Sequence, residues 1–377
     1  MKVGIDTFGC DHGRSGIGLY LHSFAANLPL TGDVNFELFG SEIDRYTYNS
    51  AREIPFKTVS VPDSLGAERL WHFFSLNKFV KSRKYDVVLY PAIERVLPIS
   101  FKTPGVAVVN SIVSNALHEA DDWALSVQIK RGLKKAQKVI AASQFLRKDL
   151  LRLGICEDKI EIVHNGIEHR LFFPQLHIDS ETVNIKPFAI KRPYFIYGSR
   201  LAGPEKKHVE LIKAFSLFKE RTKLPHRLVI AGADGPATEA TRVAAGQASS
   251  ASDIFLTGFF PHESFPLLYA GADACIFPSV NEGVGLPILE AMATGIPVAC
   301  AKAGALPEMG GEAALYFDAD NIEEIADCME KIVADTALRE KKIATGLRWA
   351  KRFTWEKTVS ETVEVIKKSV VPRSATE

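Results

Sequence analysis

The sequence has 377 residues, 46% hydrophobic and 24% charged, the composition of a globular protein too long for a single hydrophobic core. Lys and Arg number 46 against 45 Asp and Glu, and the formal net charge of +1 offers no overall field for nucleic acid. Cys10, Cys156, Cys275, Cys300 and Cys328 stand far apart with no Cys-x-x-Cys pair, which fits a reducing compartment and argues against a disulfide framework or a zinc site.

The opening "MKVGID" reads as a strand, too short in apolar residues for a signal peptide, so the protein is expected to be cytoplasmic. No run approaches the roughly 20 apolar residues of a membrane span, which limits membrane contact to a peripheral kind. A glycine loop follows in "DHGRSGIGLYLHSF", where Gly16 and Gly18 would bring backbone N–H groups near a phosphate. It lacks the full G-x-G-x-x-G spacing, which counts against a dinucleotide enzyme.

Strand-like "DVVLYPA", "GVAVVN" and "KVIAAS" then alternate with helical runs such as "IGLYLHSFAANL" and "SQFLRKDLLRLG". The basic "KRGLKKAQK" at 130–138 reads first as a solvated helix face and second as a membrane or acceptor patch. "HNGIEH" at 164–169 is a turn before it is a metal site. Residues 172–193, punctuated by proline and without periodicity, read as a linker, with the domain boundary near residue 185.

The alternation resumes with strands "YFIYGS", "HRLVIAG", "IFLTG", "ACIFPS" and "PVACA" and helices between them. The division expected is 1–184 and 185–355, two Rossmann-like domains, and 356–377, a C-terminal helix that crosses back and ends in a frayed tail. Val- and Ile-rich strands alternating with helices imply two doubly wound parallel sheets, α/β in class, facing a cleft. In such sheets ligands bind beyond the carboxyl ends of the strands.

Three segments carry candidate chemistry. In "PSVNEGVGLPILEAMATGIPV", Glu282 and Glu290 are separated by seven residues across a strand–loop–helix. Gly283 and Gly285 permit close backbone approach to an anion at the helix N-terminus, and Pro287 suits its first turn. Carboxylates accept paired hydrogen bonds from vicinal hydroxyls, so the combination describes a nucleotide-sugar. An acid in a first helical turn is also a common dipole partner, and the functional reading rests on the pair. In "YGSRLAGPEKKHVELIKAF", Arg200 and Lys206 would neutralise a leaving diphosphate, while Lys207 reads as a surface residue. "DAD" at 318–320 reads as turn and capping chemistry, so no metal site is expected.

These residues resemble a known family. "NEGVGLPILEAMATGIPV" resembles the Glu-x7-Glu motif of retaining glycosyltransferases of family 4, which have the GT-B fold of two Rossmann-like domains. "GSRLAGPEKKHVELIKAF" is similar to that family's Arg…Lys segment, with one extra residue before Lys206, and the opening segment to its mannosyltransferase-like members. The resemblance implies that Glu290 holds ribose hydroxyls and Glu282 the transferred sugar. Gly283, Val284, Gly285 and Leu286 would line phosphate and sugar, Arg200 and Lys206 would stabilise the diphosphate, and Gly16 with Gly18 would complete that pocket. Phe260 and His262 would lie against the base.

One departure concerns the acceptor side. Asn110 and Ser111 stand where family members often carry His-Asp; asparagine hydrogen-bonds a hydroxyl but is no base near neutral pH, and His118 is a downstream substitute. The expectation is a metal-independent hexosyltransferase in polysaccharide or glycolipid synthesis. Its donor would be GDP-mannose first and a UDP-sugar second, and its acceptor a glycan or a lipid-linked glycan. A non-catalytic nucleotide-sugar binder, or an epimerase or phosphorylase of the same fold, is the alternative.

Overall fold

Short runs of Val, Ile, Leu and Ala pair side by side in parallel, and the amphipathic stretches between them close over both faces of the resulting sheets. The computed structural model describes residues 1–29, 32–48, 53–119, 123–175 and 181–370. Two units emerge: Met1–Gly166 together with the helix that begins after Thr354, and Ile167–Phe353.

The first unit holds strands β1 (Lys2–Asp6), β2 (Asn35–Gly40), β3 (Phe56–Thr58), β4 (Val87–Tyr90), β5 (Gly105–Val109), β6 (Lys138–Ala141) and β7 (Ile160–Ile162). They pair in parallel in the order β3-β2-β1-β4-β5-β6-β7. The chain first winds outward from β1 to β3 and then returns to add β4 on the other side of β1. That reversal point is where an open α/β sheet leaves a crevice at its strand ends. Helices α1 (Gly16–Ala26), α2 (Glu42–Tyr48), α3 (Leu65–Phe74), α4 (Leu76–Arg83), α5 (Val113–Glu119), α6 (Trp123–Lys135) and α7 (Gln144–Arg152) provide the crossovers. Val3, Ile5, Val87, Leu89, Val106 and Val108 are buried in the core, as expected of strands covered on both faces.

The second unit opens with an antiparallel hairpin, β8 (Thr182–Ile185) and β9 (Phe188–Lys191). Its parallel sheet is β10 (Tyr194–Gly198), β11 (Arg227–Ala231), β12 (Ile254–Gly258), β13 (Ala274–Phe277), β14 (Val298–Ala301) and β15 (Leu315–Phe317), in the order β12-β11-β10-β13-β14-β15. Here the reversal falls between β10 and β13. Helices α8 (His208–Thr222), α9 (Thr238–Gln247), α10 (Phe265–Ala270), α11 (Leu286–Ala293), α12 (Leu306–Gly310), α13 (Ile322–Ala334) and α14 (Thr336–Ala350) cover it.

The segment read as a linker is in part this hairpin. Val183, Ile185 and Ile190 turn into the second core, and Ile167 and Phe172 upstream are buried there too. Burial of these side chains moves the compact division to Gly166/Ile167, ahead of residue 185; the hairpin's alternation is too short to stand out beside its prolines. Residues 176–180, within the same segment, lie outside the described residues.

At the other end, α15 (Trp355–Ser369) leaves the second unit's chain and packs on the first core through Trp355, Val359, Val363 and Ile366. Thr354 caps it by accepting from Lys357 N–H, Thr358 Oγ1 donates to His164 O at 2.7 Å, and the Trp355 ring meets Tyr20 edge-on. The tail expected to fray lies, from residue 371, outside the described residues. No helix among the described residues is long and apolar enough to cross a membrane.

Gly166 lets the two backbones meet, since a Cβ there would fall 2.2 Å from Trp355 N and 2.4 Å from Thr354 C. Gly166→Ala should therefore destabilise the first unit by about 1–3 kcal/mol, the usual cost of overpacking against a backbone that cannot yield. A lowered thermal midpoint, followed by circular dichroism, would show it; an unchanged midpoint would mean that α15 docks without this close approach.

Candidate functional site

In the second unit, the loops that leave β10 and β13 flank the reversal point of the sheet. The first runs from Ser199 to Lys207 and the second from Pro278 to Gly285. Val280 N–H donates to Glu205 O at 2.9 Å, joining the two loops by their backbones. At that junction Lys206 Nζ meets Glu282 Oε1 at 2.5 Å, with the side chains 19% and 16% exposed. A charge-assisted hydrogen bond this short and this sheltered from water holds both groups in place. Lys206 is anchored from behind by Tyr197, whose hydroxyl donates to the Lys206 carbonyl at 2.9 Å. Glu282 is held by Ala305 N–H donating to its carbonyl at 2.9 Å. Gly304, at φ +59°, makes room for that turn, as a Cβ there would lie 2.7 Å from Glu282 O.

An ammonium has three donors and Glu282 takes one, so two remain for a second anion; Glu282 keeps acceptor capacity for hydroxyls. The pair is preformed, a cation with spare donors beside a carboxylate with spare acceptors.

The loop from β13 ends at Gly285, in the left-handed conformation at φ +78° that favours glycine, and α11 begins there with proline in its first turn. Gly295 closes α11 at φ +85°, the left-handed stop expected from the sequence. Gly283, Val284 and Leu286 line the turn half-buried. One turn into the helix, Glu290 is buried and accepts from His262 Nε2 at 2.8 Å, while the His262 ring leans on Phe172 at 5.1 Å between centroids. Burial alone would lower the His262 pKa, but the hydrogen bond and charge of Glu290 outweigh it and raise the ring above its ordinary value of 6.5.

Arg200 stands apart from these pairs. It is exposed on the loop after β10, and its Nε donates to Asp234 O at 3.4 Å, a long contact. The loop beneath it is stitched to the strand-end turn at 231–235 by Ser199 N–H to Ala231 O and Leu201 N–H to Ala233 O.

Several expectations need correction. Phe260 is 4% exposed and packs edge-on against Phe188, so its ring faces the core and has no free face for a base; its neighbour Phe259 is 72% exposed. The sequence gives adjacent phenylalanines no distinguishing mark, because only the β12 exit decides which one turns inward. Lys207, read as a surface residue, is largely covered and ion-paired to Asp320 at 2.5 Å and Glu210 at 3.3 Å. Asp318 and Asp320 serve the turn before α13, which Asn321 caps by accepting from Glu323 and Glu324 N–H. His208, which sequence reading passed over, is buried against the Tyr197 ring; burial, with the Lys206 charge nearby, lowers it to about 4 and keeps it neutral.

In the first unit, Gly18 does not offer its N–H outward: that group donates to Ser15 Oγ at 3.3 Å as part of the α1 cap. A Cβ on Gly18 would lie 2.5 Å from Cys10 O, so it is the packing partner of the preceding loop, whereas Gly16 opens onto free space. That loop carries the unforeseen residues. Gly9, Asp11, His12 and Gly13 all have positive φ. His12 Nδ1 bonds Asp44 Oδ1 at 2.7 Å, Tyr48 OH donates to Cys10 O at 3.0 Å, and Gly9 N–H donates to Glu68 Oε2 at 3.0 Å. "DHG" after a strand was the available signal, since glycine flanks residues that a tight turn would force left-handed.

Beyond β5, Asn110 Oδ1 accepts from Asn165 Nδ2 at 3.0 Å, while Asn110 Nδ2 and Ser111 Oγ are buried without a partner among the described residues. His118 falls in α5, with its side chain outside the described residues. Glu94 follows β4, the strand beside β5, and burial pushes its pKa up to about 7, against the lowering effect of Arg95.

Two doubly wound parallel-sheet units, with charged loops at the reversal points, define the GT-B class of fold. The family described as "Glycosyltransferase Family 4" matches residues 14–171, and that described as "Glycosyl transferases group 1" matches residues 180–349. Together they account for both units, and the chain belongs to the GT4-type glycosyltransferases. It is 29% identical over 240 residues to O-antigen chain mannosyltransferase B of Escherichia coli, covering 63% of this chain and 62% of that one. To D-inositol 3-phosphate glycosyltransferase of Nocardioides sp. it is 26% identical, over 70% of this chain and 63% of that one. The chain thus spans a little over three fifths of these curated relatives' lengths. Anabaena HepE, solved with UDP and glucose, superposes with a TM-score of 0.73 at 19% identity, over 98% of this chain and 100% of that one.

The raised His262 pKa has a direction in pH. A histidine whose folded value exceeds its unfolded value adds stability fully below about pH 6.5 and loses it as pH rises through the folded value. The stability difference between wild type and His262→Gln should therefore be larger at pH 6 than at pH 8.5 in urea unfolding. An equal difference at both would show that Glu290 gains nothing from the imidazolium.

Proposed function

We propose that the chain transfers a hexose, mannose in the first instance, from a nucleoside diphosphate sugar to an acceptor hydroxyl of a glycan or lipid-linked glycan, with retention of configuration. The observation that carries this reading is the Lys206–Glu282 pair at the reversal point, a fixed cation with spare donors beside a fixed carboxylate with spare acceptors. Charge grows on the diphosphate as the bond to the sugar breaks, and a preorganised ammonium stabilises that charge without reorganising. Arg200, exposed on its loop with a long contact to Asp234, adds a bidentate partner. Glu290 keeps one oxygen for ribose hydroxyls while His262 holds the other. Phe259 offers the exposed ring that Phe260 lacks. The positive charge needed on the leaving group comes from side chains, so the reading asks for no metal.

GDP-mannose is the favoured donor, with support from the mannosyltransferase among the relatives, and a UDP-sugar is second, with support from the fold neighbour solved with UDP. Retention is supported by the likeness of the two-glutamate segment to the family motif. Thermal shift against GDP, UDP, ADP and their sugars should single out one nucleotide by the rise in midpoint. With that donor and chelator present, Lys206→Ala should lower kcat by roughly 10²-fold or more, the scale of a lost transition-state donor. Wild-type turnover by Lys206→Ala would remove the pair from the mechanism. Nucleotide binding without release of nucleotide to any acceptor would mark a binder in place of an enzyme.

Acceptor handling we assign to the first unit, where Asn110 and Ser111 present polar atoms left over from folding and Glu94 exchanges a proton near neutrality. A group titrating near the working pH is suited to receive an acceptor proton. Glu94→Gln should flatten the limb of the kcat/KM profile that turns near pH 7. A profile of unaltered shape would exclude Glu94 from the proton's path.

A further inference from the structure

The helical run of α3 and α4 is apolar on two sides, and only one of them is covered. The run bends at Ser75 without breaking, since Ser75 N–H donates to Trp71 O at 2.8 Å and Phe79 N–H to Ser75 O at 3.0 Å. Its inner side is filled: Trp71 packs on Phe8 and Phe79 at 5.1 and 5.5 Å between centroids, and His72 bonds Asp6 at 2.6 Å. Its outer side carries Leu70, Phe73 and Phe74 at 62%, 51% and 73% exposure, the two phenylalanines stacked edge-on at 4.7 Å. Scattered apolar side chains on a surface are ordinary, but three clustered within about one turn of a helix (i, i+3, i+4) form a patch that water disfavours.

The next turns along the same run carry Lys78 and Lys81, and its left-handed cap is Lys84; all three are exposed and have no ion pair among the described residues. Their spacing from Leu70 and Phe74 by threes and fours continues the outer stripe. From Arg69 to Tyr85 the sequence contains no Asp or Glu. Exposed Lys102 adjoins the stripe, because its N–H donates to Asn77 Oδ1 at 3.0 Å.

We propose that this run, Leu70–Lys84, docks the protein on an anionic phospholipid surface, with the Leu70, Phe73 and Phe74 side chains entering the headgroup–acyl boundary and the lysines on lipid phosphates. Aromatic and aliphatic side chains beside an acid-free cationic stripe match an interface that is apolar below and negative above. A second copy of the chain fits worse, since a two-fold contact through this stripe would cover its lysines with no Asp or Glu on the run to pair them. The proposal goes beyond glycosyl transfer and stands independently of it.

The test is flotation of the full chain with phosphatidylcholine vesicles, with and without phosphatidylglycerol, at low and high salt. Two variants, Leu70→Ser/Phe73→Ser/Phe74→Ser and Lys78→Glu/Lys81→Glu/Lys84→Glu, alter exposed side chains, and matched circular dichroism and thermal midpoints verify their folding. Wild type should float with the anionic vesicles, less so as salt rises, and each variant should lose at least about tenfold in partitioning. Failure to float, flotation indifferent to lipid charge, or variants that float as wild type would each overturn the proposal. So would a dimer in gel filtration that the serine variant splits while lipid binding is unchanged, which would assign the patch to a second copy.

Discussion

The second unit is organised around one electrostatic contact, the Lys206–Glu282 hydrogen bond across the reversal point of its sheet. The two residues are 76 positions apart, and nothing local draws them together. They meet because β10 and β13 are neighbours in a parallel sheet whose order reverses between them, so the loops leaving both strands share one end. A parallel sheet also points every strand's carboxyl end the same way, which is why the turn at 231–235, the segment with Phe259 and His262, and the helix bearing Glu290 all arrive at that end. Shelter from solvent makes the ion pair directional, and the supporting bonds from Tyr197 and Ala305 hold its two backbones.

The first unit repeats the plan with different chemistry. Its reversal lies between β1 and β4, and the loop after β1 is held in an uncommon shape: Asp11 and His12 are both left-handed without being glycine. Such residues cost of order 1–3 kcal/mol each and persist only when their surroundings over-determine them. Here the surroundings are Asp44 on His12, Tyr48 on Cys10 and Gly13, and Glu68 on Gly9. His12 has a raised pKa, because its hydrogen bonds to Asp44 and Asp63 outweigh burial, the largest single influence and one that acts the other way. The loop is therefore ordered by its own neighbours.

The strands, their parallel pairing and the presence of two sheets were legible in the chain, because buried parallel strands must be near-continuous apolar runs and glycine and proline mark their ends. The two-glutamate segment was legible for the same reason: Gly285, Pro287 and Gly295 fix a strand, a tight turn and a helix within twenty-odd residues, whatever the rest of the chain does. The hairpin at 182–191 was not, since four-residue strands carry too little alternation to be told from a linker.

What the sequence by itself determined is local: which segments become strands and helices, where turns need glycine, and that Glu282 and Glu290 lie on one loop–helix unit. Only the tertiary structure decided the partners. It paired Lys206 and not Lys207 with Glu282, put Phe260 inside and Phe259 outside, set His262 on Glu290, and returned α15 to the first core. Each of these depends on which strands become neighbours and how far each loop is from its sheet, and those are properties of the closed fold that no window of residues contains.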